Sequence, residues 1–164
     1  MKRLVFERTT RIAAPRADVF RFFAEPENLG RITPPEMRFR IIKGPGLMLR
    51  EGDRIEYAFR VFGLPMRWTS HIASWREGES FSDFQERGPY KYWLHTHSFR
   101  DDGEGTEMHD RVEYTLPFGF LGRLIAAPLV RRELERVFDY RGAATEAHCR
   151  QQHHDVAEEQ PAAE

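Results

Sequence analysis

Residues 2 to 12, KRLVFERTTRI, alternate between apolar and charged positions, with Leu4, Phe6 and Ile12 on one parity and Arg3, Glu7 and Arg11 on the other. That period of two predicts a strand buried on one face. The period then changes. In AAPRADVFRFFAEP, Pro15 suits the first turn of a helix, and Val19, Phe22 and Phe23 follow at helical spacing. Pro26 stops this helix and opens a second, short one holding Leu29 and Ile32, which the paired prolines of TPPE at 33 to 36 end.

From residue 37 to residue 115 the texture is β. MRFRII forms a short strand and KGPGLMLREGD a turn region. RIEYAFRVF at 54 to 62 sets Ile55, Tyr57, Phe59 and Val61 against Arg54, Glu56 and Arg60. GLPM reverses the chain into RWTSHIASW, two more strands flank Gly88 and Pro89, and RDDGEG at 100 to 105 leads into TEMHDRVEYT. Links this short admit no crossover helix, so these six strands pair antiparallel.

After LPFG, residues Leu121, Leu124, Ile125, Leu129, Leu134, Val137 and Phe138 mark one stripe of a helix, with Arg and Glu on its other side and Pro128 kinking it or starting its main segment. Helical from 119 to 147, it would run ~44 Å and cross a sheet whose strands span ~27 Å. The sequence therefore predicts an α+β fold: one strand, two short helices, six strands, and a long C-terminal helix covering the apolar face of the sheet. One domain over 1–147 is expected, followed by a disordered tail over 148–164, where His153 and His154 are read as solvated.

Charge narrows the function. Charged residues make 31 % of the chain yet sum to -1, which gives no electrostatic footprint for nucleic acid or an acidic membrane. Cys149, the one cysteine, forms no internal disulfide, and the sequence shows neither a signal peptide nor a transmembrane span. A soluble protein of the cytoplasm is expected. Thirteen Phe residues supply large apolar faces, for a dense core or for lining a hollow.

Candidate chemistry lies in YKYWLHTHSF at 90 to 99 and TEMHDRVEYT at 106 to 115. Pairing Phe99 with Thr106 sets Trp93 opposite Val112, His95 opposite Asp110 and His97 opposite Met108. A slip of two residues changes partners but not faces, so both histidines and Asp110 belong to the buried face. There they form a closed structural pair or border a wet cavity. Asp83 and Gln85 share the parity of Phe81 and join the same patch if the GPY turn sets that register. HxH on a strand beside a carboxylate is a weak zinc signal, so no metal or other cofactor is assigned.

FSDFQERGPYKYWLHTHSF, GTEMHDRVEYTLPFGFLG, the closing VFDYR and the upstream TPP closely resemble bacterial members of the SRPBCC superfamily, the START-like and Bet v 1-like group, related to polyketide cyclases and dehydrases. The resemblance spans about residues 3 to 145. It implies the helix-grip fold, a seven-stranded antiparallel sheet curved around a long C-terminal helix and enclosing an apolar cavity. It also implies binding or transport of a hydrophobic small molecule, of lipid, polyketide or isoprenoid-like type. The alternative is a cyclase, dehydratase or hydrolase acting on such a ligand through a His/Asp pair. No catalytic residue carries over. The expected ligand-binding positions are Tyr57, Phe59, Gln85, Trp93, His95, His97, Asp110 and Tyr114 on the sheet, with Leu134 and Phe138 on the helix.

Overall fold

The computed structural model describes residues 3–117 and 119–158; side chains of 120–123 and 152–158 lie outside that description, Leu121, His153 and His154 among them. The elements in chain order are β1 (Leu4–Ile12), α1 (Arg16–Ala24), α2 (Asn28–Arg31), a 3-10 turn (Pro35–Met37), β2 (Arg40–Lys43), β3 (Arg54–Val61), β4 (Leu64–Arg76), β5 (Ser80–Arg87), β6 (Tyr92–Asp102), β7 (Gly105–Thr115) and α3 (Gly119–Glu158). The strands form one antiparallel sheet in the order β1-β7-β6-β5-β4-β3-β2, so the first and last strands are neighbours. This is the helix-grip architecture the strand count foretells.

Four details differ from the sequence-based expectation. The β2 strand begins at Arg40 rather than residue 37, because Pro35 continues into a 3-10 turn that buries Met37 and leaves Arg38 in the left-handed region at φ 48°. The β6–β7 register is slipped by two residues, pairing His97 with Asp110, His95 with Val112, Trp93 with Tyr114 and Phe99 with Met108. The faces are unchanged: Trp93, His95, His97 and Phe99 are buried, as are Met108, Asp110, Val112 and Tyr114.

The other two concern α3. It continues past residue 147 to Glu158, and Thr145 and Cys149 are buried, so residues 148–158 are helical where a disordered tail is expected. Thr145 and Cys149 extend the inward face one and two turns beyond Arg141, and Cys149 packs among Phe20, Phe22 and Phe23 of α1. Pro128 sits inside the one continuous helix. The first half of the predicted stripe also faces outward: Leu124, Ile125 and Leu129 are 67 %, 66 % and 54 % exposed. Ala126, Ala127 and Val130 turn inward in their place.

Three features shape the concave face. Register shifts in β4, at Thr69/Ser70 and at Ile72/Ser74, act as β-bulges that bend the sheet. The α1 helix closes one end, its Phe20 ring meeting Trp75, Phe81 and Phe99 edge-on. The α3 helix crosses the middle, where Leu134 and Phe138 pack with Phe6, Trp68, Trp93 and Val112. Between sheet and helix the packing does not close.

Candidate functional site

A cavity of about 380 Å³ lies between the concave sheet and α3. Its wall is aromatic on the sheet side, with Tyr57, Phe59, Trp68, Tyr90 and Trp93, and aliphatic on the helix side, with Ala126, Val130 and Leu134. Tyr57 stacks on Trp68 with 16° between the planes, and other rings meet at steeper angles. Trp68 lies edge-on to Trp93 at 5.2 Å, Tyr90 is tilted on Trp93 at 4.7 Å, and Phe6 on Phe138 at 5.0 Å. The cavity reaches the surface where its lining residues Phe62 and Pro89 are exposed.

Phe62 occupies an unusual backbone position. It and Gly63 form the two-residue link between β3 and β4, with φ 50° and 78°. Positive φ at both central residues suits the twist of a tight hairpin, for which Asn-Gly is the unstrained choice. A phenylalanine there carries strain.

One wall of the cavity is polar. Asp83 on β5 stands directly across from His95 on β6, and Asp110 on β7 directly across from His97. Two imidazoles are thus flanked by two carboxylates. His95 Nε2 donates to Asp110 Oδ1 at 2.8 Å. His97 Nδ1 lies 2.9 Å from the same oxygen, but its N–H direction misses, so that contact is electrostatic. On the cavity side, Asp83 Oδ2 is 3.6 Å from His95 Nδ1 and 3.6 Å from His97 Nε2, too far for hydrogen bonds. Ser70 holds the other Asp83 oxygen, donating to Oδ1 at 3.1 Å while accepting from Trp68 Nε1 at 3.0 Å. The Tyr57 hydroxyl completes the chain, 3.1 Å from Ser70 Oγ.

Burial works against each of these charges, and their mutual attraction decides the outcome. For Asp110, burial pushes the carboxyl up, but His95 and His97 outweigh it and hold the group well below the usual carboxylate range. Asp83 ends lower than usual for the same reasons, with Ser70 helping. Burial lowers both histidines. In His95 that effect wins, aided by the charge of His97, whereas in His97 the two aspartates prevail and the imidazole is raised. The two neighbouring rings are thus shifted in opposite directions, His95 toward its neutral form and His97 toward its protonated one.

Of the residues expected from sequence, Tyr57, Phe59, Trp93, His95, His97, Leu134 and Phe138 line the cavity. Three do not. Asp110 stands behind the histidines, and Tyr114 packs with Trp93 and Tyr90 rather than at the wall. Gln85 is turned to the β5–β6 loop, donating to the Tyr90 carbonyl at 2.7 Å and accepting from the Tyr90 amide at 3.2 Å. Asp110 and Gln85 thus hold lining residues in place without touching the cavity.

Asp83 is the residue whose register the sequence leaves open, and it completes the polar wall. Trp68, Tyr90 and Arg141 are added outright. Arg141, the last residue of the VFDYR string, also lines the cavity, its guanidinium 5.0 Å from the centre of the Phe138 ring. Its buried Nε has no hydrogen-bond partner among the described residues.

Fold and cavity together define a helix-grip protein with an internal binding chamber. Residues 3–141 match the family described as polyketide cyclase / dehydrase and lipid transport, and the chain belongs to that family, within the SRPBCC superfamily. None of the curated protein sequences matches it. Among solved structures it is similar to a START superfamily protein from Mycobacterium smegmatis, with a TM-score of 0.70 at 12 % identity, covering 90 % of this chain and 98 % of that one. It is also similar to protein TTHA0849 from Thermus thermophilus, with a TM-score of 0.64 at 19 % identity over 90 % and 99 % of the two chains. The major latex-like protein 151 of Panax ginseng gives 0.65 at 15 % identity over 89 % and 97 %. Identities this low establish the fold they share. No helix among the described residues is long and apolar enough to cross a membrane.

Proposed function

We propose that the protein binds an apolar small molecule, of lipid, polyketide or isoprenoid-like type, in the chamber between sheet and α3, and carries it. The observation behind this reading is the cavity itself: about 380 Å³ lined by aromatic and aliphatic side chains, within the range of small-molecule sites. A dense core would leave no such volume, because protein interiors pack like organic crystals. Arg141 adds a constraint on the ligand. A cation lining an apolar chamber, with an unpaired Nε, favours a molecule with one anionic or strongly accepting end.

The test is native mass spectrometry of the protein from its own host, together with displacement of the dye N-phenyl-1-naphthylamine by amphipathic carboxylates. A co-purifying apolar molecule and saturable displacement are expected. A protein that neither retains a molecule nor takes up the dye refutes the reading.

Two imidazoles lining the cavity, each against a buried carboxylate, favour a second reading, catalysis of a cyclisation, dehydration or hydrolysis with His95 and His97 exchanging protons with the ligand. His95→Gln and His97→Gln separate the two. Lost turnover with retained dye uptake supports the enzyme, and unchanged turnover removes it.

A further inference from the structure

We propose that Asp83, His95 and His97 form a binding site for a divalent transition metal, zinc by the nature of its donors, on the wall of the cavity. Three ligand atoms converge there: Asp83 Oδ2, His95 Nδ1 and His97 Nε2, all within 4.8 Å of one another. The carboxylate oxygen is 3.6 Å from each nitrogen. A hydrogen-bonded cluster would draw such groups together, as the 2.8 Å contact on the Asp110 side does. Donors that share a metal stand further apart. Two ligands each 2.0–2.2 Å from zinc, at angles between tetrahedral and trigonal, are separated by about 3.3–3.8 Å.

The surroundings orient all three donors toward one point. Asp110 lies against the far nitrogen of each ring, hydrogen-bonded to His95 Nε2 and 2.9 Å from His97 Nδ1. The hydrogen bond from His95 Nε2 and the electrostatic pull of Asp110 on His97 Nδ1 favour the proton on that side of each ring. In the neutral rings the cavity-side nitrogens then have lone pairs to offer, as when a carboxylate orients a metal-ligating histidine and raises its basicity. Ser70 occupies Asp83 Oδ1 and leaves Oδ2 facing the two nitrogens. Trp68 and Tyr57 in turn fix Ser70.

Each part has a local cause in the chain. The HxH spacing puts both rings on one face of β6, β5 brings Asp83 across from His95, and β7 brings Asp110 across from His97. Two imidazoles and one carboxylate suit zinc and its first-row neighbours, whereas calcium and magnesium require oxygen donors throughout. Three protein ligands leave the remaining coordination position directed into the cavity, the pattern of a zinc site that meets a substrate. The assignment does not depend on what apolar molecule the cavity holds.

The experiment uses the full-length, tag-free protein, stripped with a chelator and titrated with Co²⁺ and then Zn²⁺. Binding of one Co²⁺ per chain is expected, with the visible absorption of a four- or five-coordinate ion, followed by its displacement by Zn²⁺. His97→Gln and Asp83→Asn should each weaken binding at least tenfold, and Asp110→Asn by roughly 10- to 100-fold. The double variant H153Q/H154Q, which removes the adjacent histidines of the tail, should bind as the wild type does.

The chelator-stripped wild type should still take up N-phenyl-1-naphthylamine, so failure of the metal site is distinguishable from failure of the cavity reading. Absence of stoichiometric binding to the wild type overturns the proposal, whatever the variants do. So does binding that persists in Asp83→Asn and His97→Gln, or that disappears in H153Q/H154Q.

Discussion

Replacing Arg141 by methionine separates what this side chain does for the fold from what it does for a ligand. Methionine keeps an unbranched apolar stem over the Phe138 ring and removes the guanidinium. In the ligand-free protein the Nε is buried without a hydrogen-bond partner among the described residues. An unsatisfied buried donor costs ~1–3 kcal/mol, and because Arg141 as a whole is only half-buried the low end applies.

The substitution should therefore leave the empty protein as stable as the wild type, or more stable by about 1 kcal/mol in urea denaturation. Binding of an anionic ligand should move the other way. A hydrogen bond to a charged group contributes ~1.5–3 kcal/mol, which is roughly a 10- to 150-fold loss of affinity. The matched pair dodecanoate and dodecanol, each displacing N-phenyl-1-naphthylamine, reads this directly. Dodecanoate should weaken by that factor and dodecanol should barely change. Arg141→Lys should fall between, since it retains charge without the planar fork. Equal losses for both ligands would mean that Arg141 acts only through packing, and no loss for either would remove it from the site.

Further outcomes follow from other parts of the structure. Phe62→Asn should stabilise the protein by about 1 kcal/mol in thermal or urea unfolding, because asparagine tolerates the left-handed backbone that phenylalanine occupies at φ 50°, and it should slow dye uptake by removing an aromatic ring from the rim. Gly88→Ala places a Cβ 2.3 Å from Gln85 Oε1 and must expel the amide that holds Tyr90, so a loss of about 1–3 kcal/mol and faster dye release are expected by denaturation and stopped-flow. Burial, first of all, raises Tyr57 and Tyr90, with Asp83 adding to the effect at Tyr57. Above a pH of about 10 the unfolded chain loses these phenolic protons while the folded protein keeps them, so stability falls as pH rises, by up to ~1.4 kcal/mol per pH unit for each tyrosine. Tyr57→Phe should make that alkaline slope shallower, and a slope identical to the wild type would refute the assignment.

Alternation carries which side of a strand faces inward, and nothing finer. Trp93, His95, His97 and Phe99 share a face in any register that keeps the apolar set buried, so their burial is legible without a partner strand. The partners are not. A two-residue slip preserves every face, and the observed pairing of His97 with Asp110 differs from the expected pairing of His95 with Asp110 by that slip. The Asp110 carboxylate still reaches His95 diagonally at 2.8 Å, so the acid–imidazole contact outlives the error in register. The place of Asp83 depends on a loop instead. Gln85 clamps Tyr90, and Gly88 leaves room for the Gln85 amide, so the link closes over residues 88 to 91 and brings β5 against β6 with Asp83 at His95. No periodicity encodes that.

The helix departs from its expected stripe for a reason that bears on the cavity. A stripe chosen by side-chain size assumes that the largest apolar residues face in, as they do when a helix must fill the space beneath it. At Leu134 and Phe138 the assumption holds. One and two turns earlier it reverses: Leu124, Ile125 and Leu129 face water, while Ala126, Ala127 and Val130 face the sheet. Small residues on the inward face leave the aromatic wall of Tyr57, Phe59 and Trp68 without a partner across the gap, and the chamber is the volume they leave. At the other end of α3, Thr145 and Cys149 continue the inward face as two isolated small side chains among polar neighbours, so the large-residue stripe ends before residue 147 while packing against α1 carries the helix on. Both departures follow from equating hydrophobic size with contact, and a protein built to hold something between its elements must break that equation where the ligand lies. Ala126→Leu tests the point: a larger inward side chain should reduce dye capacity while leaving the unfolding midpoint unchanged or higher, whereas unaltered capacity would mean that the chamber owes nothing to the small residues of α3.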